Sequence, residues 1–161
     1  MSDFLVEPPK SLTNVFLILT VGIPGAGKST WAEWYASMDP THNTVVVSTD
    51  KLRKELTGTS NCNPAENEFI HSSARQRVKE LLQQGHDVIV DSTNVDLEEW
   101  LKYKHLYPSI FIAKIFDVSP AEAMVRQERR ERKVPLAILE DKWKTLQQNK
   151  HHVSILFDLI I

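Results

Sequence analysis

Cysteine is almost absent from the sequence, which contains only Cys62 and no Cys and His spacing typical of a zinc site. A lone thiol cannot form an internal disulfide, so the disulfide-stabilised secreted domains are excluded as a class. We therefore expect a reducing, cytoplasmic environment. Because no basic residue stands beside Cys62 in the sequence, we expect it to be an unreactive thiol in a polar loop.

Long hydrophobic runs and a strong net charge are also missing. No segment approaches the ~20 consecutive apolar residues that a membrane-spanning helix needs, so we expect no membrane partner. The formal net charge is −2, which excludes a basic field over the whole molecule. Positive charge is instead local, since residues 120–150 hold eight Lys and Arg against five Asp and Glu. Any contact with a polyanion must therefore be made by a limited part of the surface.

The overall composition is that of a globular protein. Of the 161 residues, 42% are hydrophobic and 25% are charged, which excludes intrinsically disordered and fibrous proteins. A chain of this length corresponds to one ordinary domain. We therefore expect residues 1–161 to form a single domain.

Short apolar runs alternate with helical patterns along the chain, which is typical of α/β proteins with a parallel sheet. The predicted strands are 15–21, 44–48, 88–91, 110–118 and, near the sheet edge, 153–161. The predicted helices are 29–37, 51–56, 66–84, 97–106, one that starts at Ser119-Pro120 and becomes strongly basic by Arg126, and one from Pro135 to about Asn149. We therefore expect a sheet of four to five strands flanked by helices, with ligands bound beyond the carboxyl ends of the strands.

The strongest motif follows the first predicted strand. Its residues match G-x-x-x-x-G-K-[ST] in full and read Gly22, Ile23, Pro24, Gly25, Ala26, Gly27, Lys28 and Ser29. Between a strand and a helix this pattern is a P-loop, whose backbone N–H groups surround phosphate. Lys28 is expected to reach the β- and γ-phosphates, and the Ser29 hydroxyl to bind Mg²⁺.

A second pair of residues follows the second predicted strand. Asp50 stands where a carboxylate can take the proton of an acceptor hydroxyl, although the same position suits a helix N-cap. Arg53 comes three residues later, on the next helical turn. Its guanidinium can hold an acceptor phosphate, or it can simply lie on a solvated helix face. The pair predicts a general base and a phosphate-binding residue.

The third predicted strand ends in Asp91, in the form of an apolar run closed by an aspartate. This carboxylate can hold Mg²⁺ through its water shell or help to position the acceptor, and the alternative is an Asx-turn that opens the following loop. Thr93 and Asn94 lie in that loop, and we expect them to line the acceptor pocket.

A cluster of cations precedes Val134-Pro135. It consists of Arg126, Arg129, Arg130, Arg132 and Lys133. Such a cluster predicts a lid that closes over the transferred phosphoryl group and neutralises its charge, whereas the alternative is a solvated helix face softened by neighbouring glutamates.

Taken together, these motifs resemble the P-loop polynucleotide kinases, the 5′-hydroxyl kinase domains of bacteriophage and bacterial nucleic-acid repair enzymes. The resemblance is carried by Gly22 to Ala32, Ser48-Thr49-Asp50 with Arg53, Asp91 to Asn94, Phe116-Asp117-Val118 and the arginine-rich segment into Val134-Pro135. It runs from about Val15 to the end of the chain. The sequence has no Asp-x-Asp-x-Thr motif of the 3′-phosphatase domain that family members often carry.

The resemblance implies an adenylate-kinase-like sheet with a basic lid, and ATP and Mg²⁺ as cofactors. It implies that Asp50 is the general base and that Arg53 binds the 3′-phosphate of the acceptor. Arg129 or Arg130 is expected on the γ-phosphate, with Lys28 as the other catalytic cation. The ATP-binding set then comprises residues 22–30, including Thr30, together with Arg126.

Three functions are compatible with these residues. The leading hypothesis is transfer of the γ-phosphoryl group of ATP to a 5′-hydroxyl end of DNA or RNA, as in nucleic-acid repair, with no obligate protein partner. The alternative is a P-loop kinase of a nucleoside, nucleotide, sugar or antibiotic. A regulatory nucleotide-binding switch is the third, and it would keep its hydrolysis when Asp50 is replaced.

Overall fold

The computed structural model of the protein describes residues 15–59, 61, 63–131 and 133–161. Two residues with sequence-based predictions, Cys62 and Arg132, lie outside the described residues. Within the described ranges, no helix combines the length and hydrophobicity of a membrane span.

Strands and helices alternate along the described chain. The strands are β1 (Phe16–Val21), β2 (Thr44–Ser48), β3 (Asp87–Asp91), β4 (Ile110–Ile115) and β5 (Leu159–Ile160). The helices are α1 (Lys28–Ser37), α2 (Thr49–Thr57), α3 (Pro64–Gln83), α4 (Leu97–Lys104), α5 (Pro120–Arg126), α6 (Leu136–Asn149) and α7 (Val153–Leu156), with a 3₁₀ turn at Lys150–His152.

All five strands form one parallel sheet in the order β2-β3-β1-β4-β5. The central strand β1 pairs with β3 on one side and β4 on the other, with Ile18 opposite both Ile89 and Ile112. The predicted α/β fold, a parallel sheet flanked by helices, is confirmed. Because the strands are parallel, the loops after β1, β2 and β3 meet at one edge of the sheet.

The central strands β1 and β3 are buried on both faces, which explains why they are nearly continuous apolar runs. Leu17 and Leu19 point to the larger core, where Trp100 and Tyr103 are fully buried. Ile18 points to the opposite face, where it packs near Ala32 of α1. This packing fixes the start of α1 directly behind the loop that follows β1.

The predicted strand over 153–161 is wrong for most of its length. Only Leu159 and Ile160 join the sheet, and Val153 to Leu156 form the helical turn α7. Val153 and Phe157 are the buried residues of this tail, and Phe157 stacks on Phe111 at 4.2 Å between ring centroids, whereas Ile155 and Leu159 to Ile161 are exposed. Burial of two side chains is therefore met here without a continuous strand.

The predicted strand over 110–118 and the basic helix after Ser119 are both shorter than expected. Strand β4 stops at Ile115, and α5 stops at Arg126, so Arg129 and Arg130 lie outside any helix. The buried side chain of Gln127 closes the loop that follows. Its Nε2 donates to the Val134 carbonyl at 2.7 Å and its Oε1 accepts from the Val134 N–H at 3.1 Å. These two bonds hold the base of a surface loop whose described residues are 128–131 and 133.

Candidate active site

A cleft of about 860 Å³ lies at the edge of the sheet where β1, β2 and β3 end. Its floor is the loop between β1 and α1, its near side is the start of α2, and its far side is made by α3 and α4. The predicted site residues that line it are Pro24, Gly25, Gly27, Lys28, Ser29, Asp50, Arg53, Asp91, Thr93, Asn94 and Arg130. The fold therefore brings together residues that are up to about a hundred positions apart in sequence.

The loop between β1 and α1 has the geometry of a phosphate cradle. Gly25 and Gly27 have φ of +85° and +95°, a region that side chains rarely adopt, and this lets successive N–H groups turn toward one point. Gly22 packs against the chain after β4, where a Cβ on it would approach the Phe116 Cβ to 2.9 Å. Ile23 and Ala26 are buried and contribute carbonyl oxygens, whereas Thr30 is exposed on α1 and does not line the cleft.

Lys28 lies buried at the start of α1, and its Nζ donates to the Ile23 carbonyl at 2.7 Å. Burial lowers the pKa of this ammonium group to about 8, and the nearby Asp91 and Asp50 carboxylates oppose the shift. Arg130 lowers it further by like-charge repulsion. The lysine is therefore a charged group held in a poorly solvated position, which favours binding of an anion there.

Ser29 and Asp91 form the centre of the cleft. The Ser29 hydroxyl donates to Asp91 Oδ2 at 2.7 Å. Burial raises the pKa of the Asp91 carboxyl, while the Ser29 hydrogen bond and the Lys28 charge oppose the shift. A hydroxyl and a carboxylate oxygen side by side next to a phosphate cradle are the protein ligands that Mg²⁺ takes in nucleotide sites. The donor set therefore fits the metal, and the Asx-turn interpretation of Asp91 is not needed.

Asp50 and Arg53 form an ion pair on the near side of the cleft. Arg53 Nη1 lies 3.1 Å from Asp50 Oδ1, and its Nη2 donates to Asn67 Oδ1 at 3.0 Å. The N-cap of α2 is Ser48, whose hydroxyl accepts from the Lys51 N–H, so Asp50 is not the cap. Its carboxylate is 75% exposed and points to the cleft opening, while the Arg53 side chain is only 7% exposed.

The loop after β3 is fixed by backbone contacts. The Thr93 carbonyl accepts from the Gly22 N–H at 3.0 Å, which ties this loop to the phosphate cradle. Asn94 Nδ2 donates to the Thr20 carbonyl at 2.9 Å, and Trp100 Nε1 donates to the Asn94 carbonyl at 2.6 Å. Thr93 and Asn94 both line the cleft, and the Asn94 amide holds the loop in place.

The predicted lid residues fall into two groups. Arg126 sits against the cradle, with Nη1 donating to the Ala26 carbonyl at 3.1 Å and Nη2 paired with Glu122 at 2.8 Å. Arg130 lines the cleft, and so does Lys133. Arg129 is exposed and does not line it. Asp117 also lies outside the lining and pairs with Lys150 at 3.6 Å.

Sequence reasoning missed the far side of the cleft. Six of its residues carry polar side chains: Asn67, Glu68, His71, Glu98, Glu99 and Lys102. Behind them, Arg75 donates to both carboxylate oxygens of Glu99 at 3.0 Å and to Glu68 at 2.9 Å. Burial lowers the pKa of His71, which favours its uncharged imidazole. The spacing of Asn67, His71 and Arg75 at every fourth residue was the available signal for one polar helix face.

The profile of the AAA domain family AAA_33 matches residues 17–150, most of the chain. The chain belongs to this AAA domain family. The match includes every residue of the site described above. Together with the parallel sheet and the P-loop, it makes the protein a nucleotide-binding domain with a P-loop kinase fold.

Solved structures with this fold include proteins of several kinds. A chain in the structure of the Pnkp1/Rnl/Hen1 RNA repair complex superposes with a TM-score of 0.74 and 29% identity, over 85% of this chain and 45% of that chain. A chain in a second structure of the Pnkp1/Rnl/Hen1 complex has a TM-score of 0.61 and 30% identity, over 74% of this chain and 43% of that chain. The protein thus spans less than half of those chains.

More distant structures share the fold alone. A gluconokinase from Sinorhizobium meliloti 1021 has a TM-score of 0.60 at 18% identity, over 88% of this chain and 79% of that chain. The Mycobacterium tuberculosis APS kinase CysC in complex with AMPPNP and APS has a TM-score of 0.61 at 17% identity, over 71% of this chain and 69% of that chain. The acceptor must therefore be argued from the residues of the cleft.

Proposed function

We propose that the protein transfers the γ-phosphoryl group of ATP to the 5′-hydroxyl end of a DNA or RNA strand. The observation that carries the proposal is the Asp50–Arg53 ion pair, at 3.1 Å, in the same cleft as the phosphate cradle. It combines a carboxylate that can take a hydroxyl proton with a guanidinium that can hold a phosphate of the acceptor. A kinase of a phosphate-free small molecule has no use for the second group.

On the donor side, the cradle and Lys28 bind the phosphates of ATP. Lys28 leaves the Ile23 carbonyl, to which it donates at 2.7 Å, and places its charge on the β- and γ-phosphates. The Ser29 hydroxyl and Asp91 would hold Mg²⁺, which when bound neutralises phosphate charge. We place Thr30 and Arg126 beside the same nucleotide, Arg126 through its anchor on the Ala26 carbonyl.

On the acceptor side, Asp50 accepts the proton of the 5′-hydroxyl. The 5′-oxygen forms its bond to the γ-phosphorus as the bond from that phosphorus to the β,γ-bridging oxygen breaks, and ADP leaves with the electron pair. Arg53 binds the phosphate on the 3′ side of the same nucleotide, and Thr93 and Asn94 line the pocket around it. Arg130 approaches the transferred group from the loop over 128–133 and stabilises its charge.

Two further findings support a polynucleotide acceptor. The protein shares 29% identity over 85% of its length with a chain from an RNA repair complex. The cleft also opens beside Arg130, Lys133 and Lys142, which can meet the phosphates of a strand. All groups in the proposal come from one chain, so we expect activity without an obligate protein partner.

The test is label transfer from γ-labelled ATP with Mg²⁺ to a panel of acceptors. The panel contains 5′-hydroxyl RNA and DNA oligonucleotides, the same oligonucleotides with a 5′-phosphate as matched controls, nucleosides, nucleoside monophosphates and gluconate. We expect label on the 5′-hydroxyl oligonucleotides alone among the strands, with an acceptor KM that rises steeply with salt. Label on a small molecule and on no oligonucleotide contradicts the proposal, and so does release of inorganic phosphate without transfer.

A further inference from the structure

The guanidinium of Arg53 is held from two sides. Its Nη1 lies 3.1 Å from Asp50 Oδ1, and its Nη2 donates to Asn67 Oδ1 at 3.0 Å. The side chain is only 7% exposed, although it reaches the cleft wall. These two bonds use two of the five N–H donors of a guanidinium, so the others remain available in a fixed plane.

The two partners hold Arg53 differently. Asp50 is 75% exposed, and in the proposed reaction its carboxylate takes up a proton, which weakens its hold on a cation. Asn67 comes from another helix, is half-buried, and has a neutral amide. It can therefore keep Arg53 in place throughout the reaction without cancelling the positive charge that a phosphate needs.

A second link between α2 and α3 provides a comparison. Arg77 pairs with Glu55 at 3.1 Å, but both side chains are about half exposed and neither lines the cleft. The two helices are thus joined twice, once at the surface and once at the cleft. Since buried Leu52 of α2 shares one core cluster with Ala74 and Val78 of α3, the Asn67 contact has a role that fixing the relative position of the helices does not explain.

We propose that Asn67 is a positioning residue that orients Arg53 toward the phosphate on the 3′ side of the acceptor's first nucleotide. The inference rests on the proposed function. It makes the substrate class more specific, because a fixed guanidinium selects nucleotides that carry a 3′-phosphate, free or within a strand, over nucleosides that lack one. If the Arg53 guanidinium is misplaced, the preference for a 3′-phosphate is lost, although the 5′-hydroxyl of the acceptor can still contact Asp50.

The experiment compares adenosine 3′-monophosphate with adenosine, both as acceptors and as ligands in calorimetry. We expect the wild-type protein to prefer the 3′-phosphate, and Asn67→Ala to lower that preference about tenfold through KM, with kcat within about twofold. Arg53→Ala should remove the preference, and Asn67→Ala added to Arg53→Ala should change nothing more. Glu55→Gln, which weakens the surface link, should leave the preference at the wild-type value.

Two results overturn the inference. One is an equal loss on both acceptors in Asn67→Ala, and the other is an effect of Asn67→Ala that persists in the Arg53→Ala background. Failure of the proposed function is distinguishable from failure of this inference, because in that case no acceptor with a 5′-hydroxyl becomes labelled. In that case the calorimetric series still decides: a wild-type preference for adenosine 3′-monophosphate that Asn67→Ala removes supports the inference, and an absent preference overturns it.

Discussion

The two sides of the cleft handle charge in opposite ways. The far side, here the polar wall, is formed by Asn67, Glu68, His71, Arg75, Glu99 and Lys102. Glu68, Arg75, Glu99 and Lys102 are joined in one network, with Arg75 and Glu99 each 15% exposed, while Glu98 lines the same side without an ion pair among the described residues. The lip of the cleft, here the cationic lip, has Arg130 and Lys133 in its lining and Arg129 beside them outside it, and none of these three residues has an ion pair within the described ranges 15–59, 61, 63–131 and 133–161.

The polar wall has fixed side-chain positions, whereas the cationic lip has free positive charge. A network whose charges cancel offers little attraction to an anion, but it holds its side chains in fixed positions. Unpaired exposed cations are held loosely and attract phosphate from a distance. We therefore expect the polar wall to decide how the acceptor sits, and the cationic lip to stabilise the phosphoryl group during transfer.

The largest effect is expected at the cationic lip. Arg130 lines the cleft and lies close enough to Lys28 to lower its pKa, whereas Arg129 does not line it. Arg130→Ala should lower kcat about 10³-fold, because a cation at the developing charge contributes roughly 10³–10⁵ in phosphoryl transfer. The loss is measured as the rate of label transfer from γ-labelled ATP in single-turnover experiments.

Arg129→Ala is the matched control for that change, since it removes the same charge from the same loop. We expect its kcat to stay within about threefold of the wild-type value. Equal losses of kcat in Arg129→Ala and Arg130→Ala would mean that the loop acts through its total charge. The proposed special role of Arg130 would then be wrong.

The next effect concerns Asp50, whose exposed carboxylate is the proposed base. Asp50→Asn keeps the size of the side chain and should lower kcat roughly 10²–10³-fold, since it cannot accept a proton. Binding of AMPPNP with Mg²⁺, measured by calorimetry, should stay within about twofold because the cradle is untouched. Unchanged phosphate release in the variant would instead favour a nucleotide switch.

A stability measurement tests the polar wall. Glu99→Ala leaves the Arg75 guanidinium, 15% exposed, without its bidentate partner. We expect the free energy of unfolding in urea to fall by about 2 kcal/mol, which is roughly thirtyfold in the equilibrium constant. Glu55→Ala breaks the exposed pair with Arg77 and should leave the urea midpoint unchanged. Equal shifts in the two variants would show that the wall is no more tightly joined than the surface.

Much of the fold could be predicted from local patterns. The run from Phe16 to Val21 is buried on both faces, and Thr44 to Val47 are β-branched, so local sequence alone locates these two strands. The P-loop is predictable because its residue types stand at fixed spacings within eight consecutive positions. Patterns failed in the tail that starts at Val153, because the burial of Val153 and Phe157 is compatible with a helical turn as well as with a strand.

The polar wall could not be predicted because its contacts are not local. Arg75 and Glu99 are 24 positions apart, and their pairing depends on how α3 packs beside α4. The end of the helix that precedes the cationic lip was not predictable for a related reason. Nothing in the local sequence tells that Gln127 turns back to the Val134 backbone and ends α5 before Arg129. Asp50 and Arg53, three apart on one helix, were predictable as a pair, whereas Asn67 was not.

The smallest effect follows from the buried ammonium of Lys28. Its pKa is lowered to about 8, so it is largely charged at pH 7 and loses its proton as the pH rises through about 8. Bound phosphates favour the charged form, and binding above that pH must therefore take up a proton, at a cost of about tenfold in Kd per pH unit. We expect the Kd for AMPPNP with Mg²⁺ to rise about tenfold between pH 7 and 9, with proton uptake visible in calorimetry in buffers of different ionisation enthalpy.

Lys28→Arg is the control, and its Kd should stay constant over this pH range, because a guanidinium stays charged. A flat wild-type profile would mean that Lys28 keeps its proton in the empty cleft, and that Asp91 and Asp50 outweigh its burial.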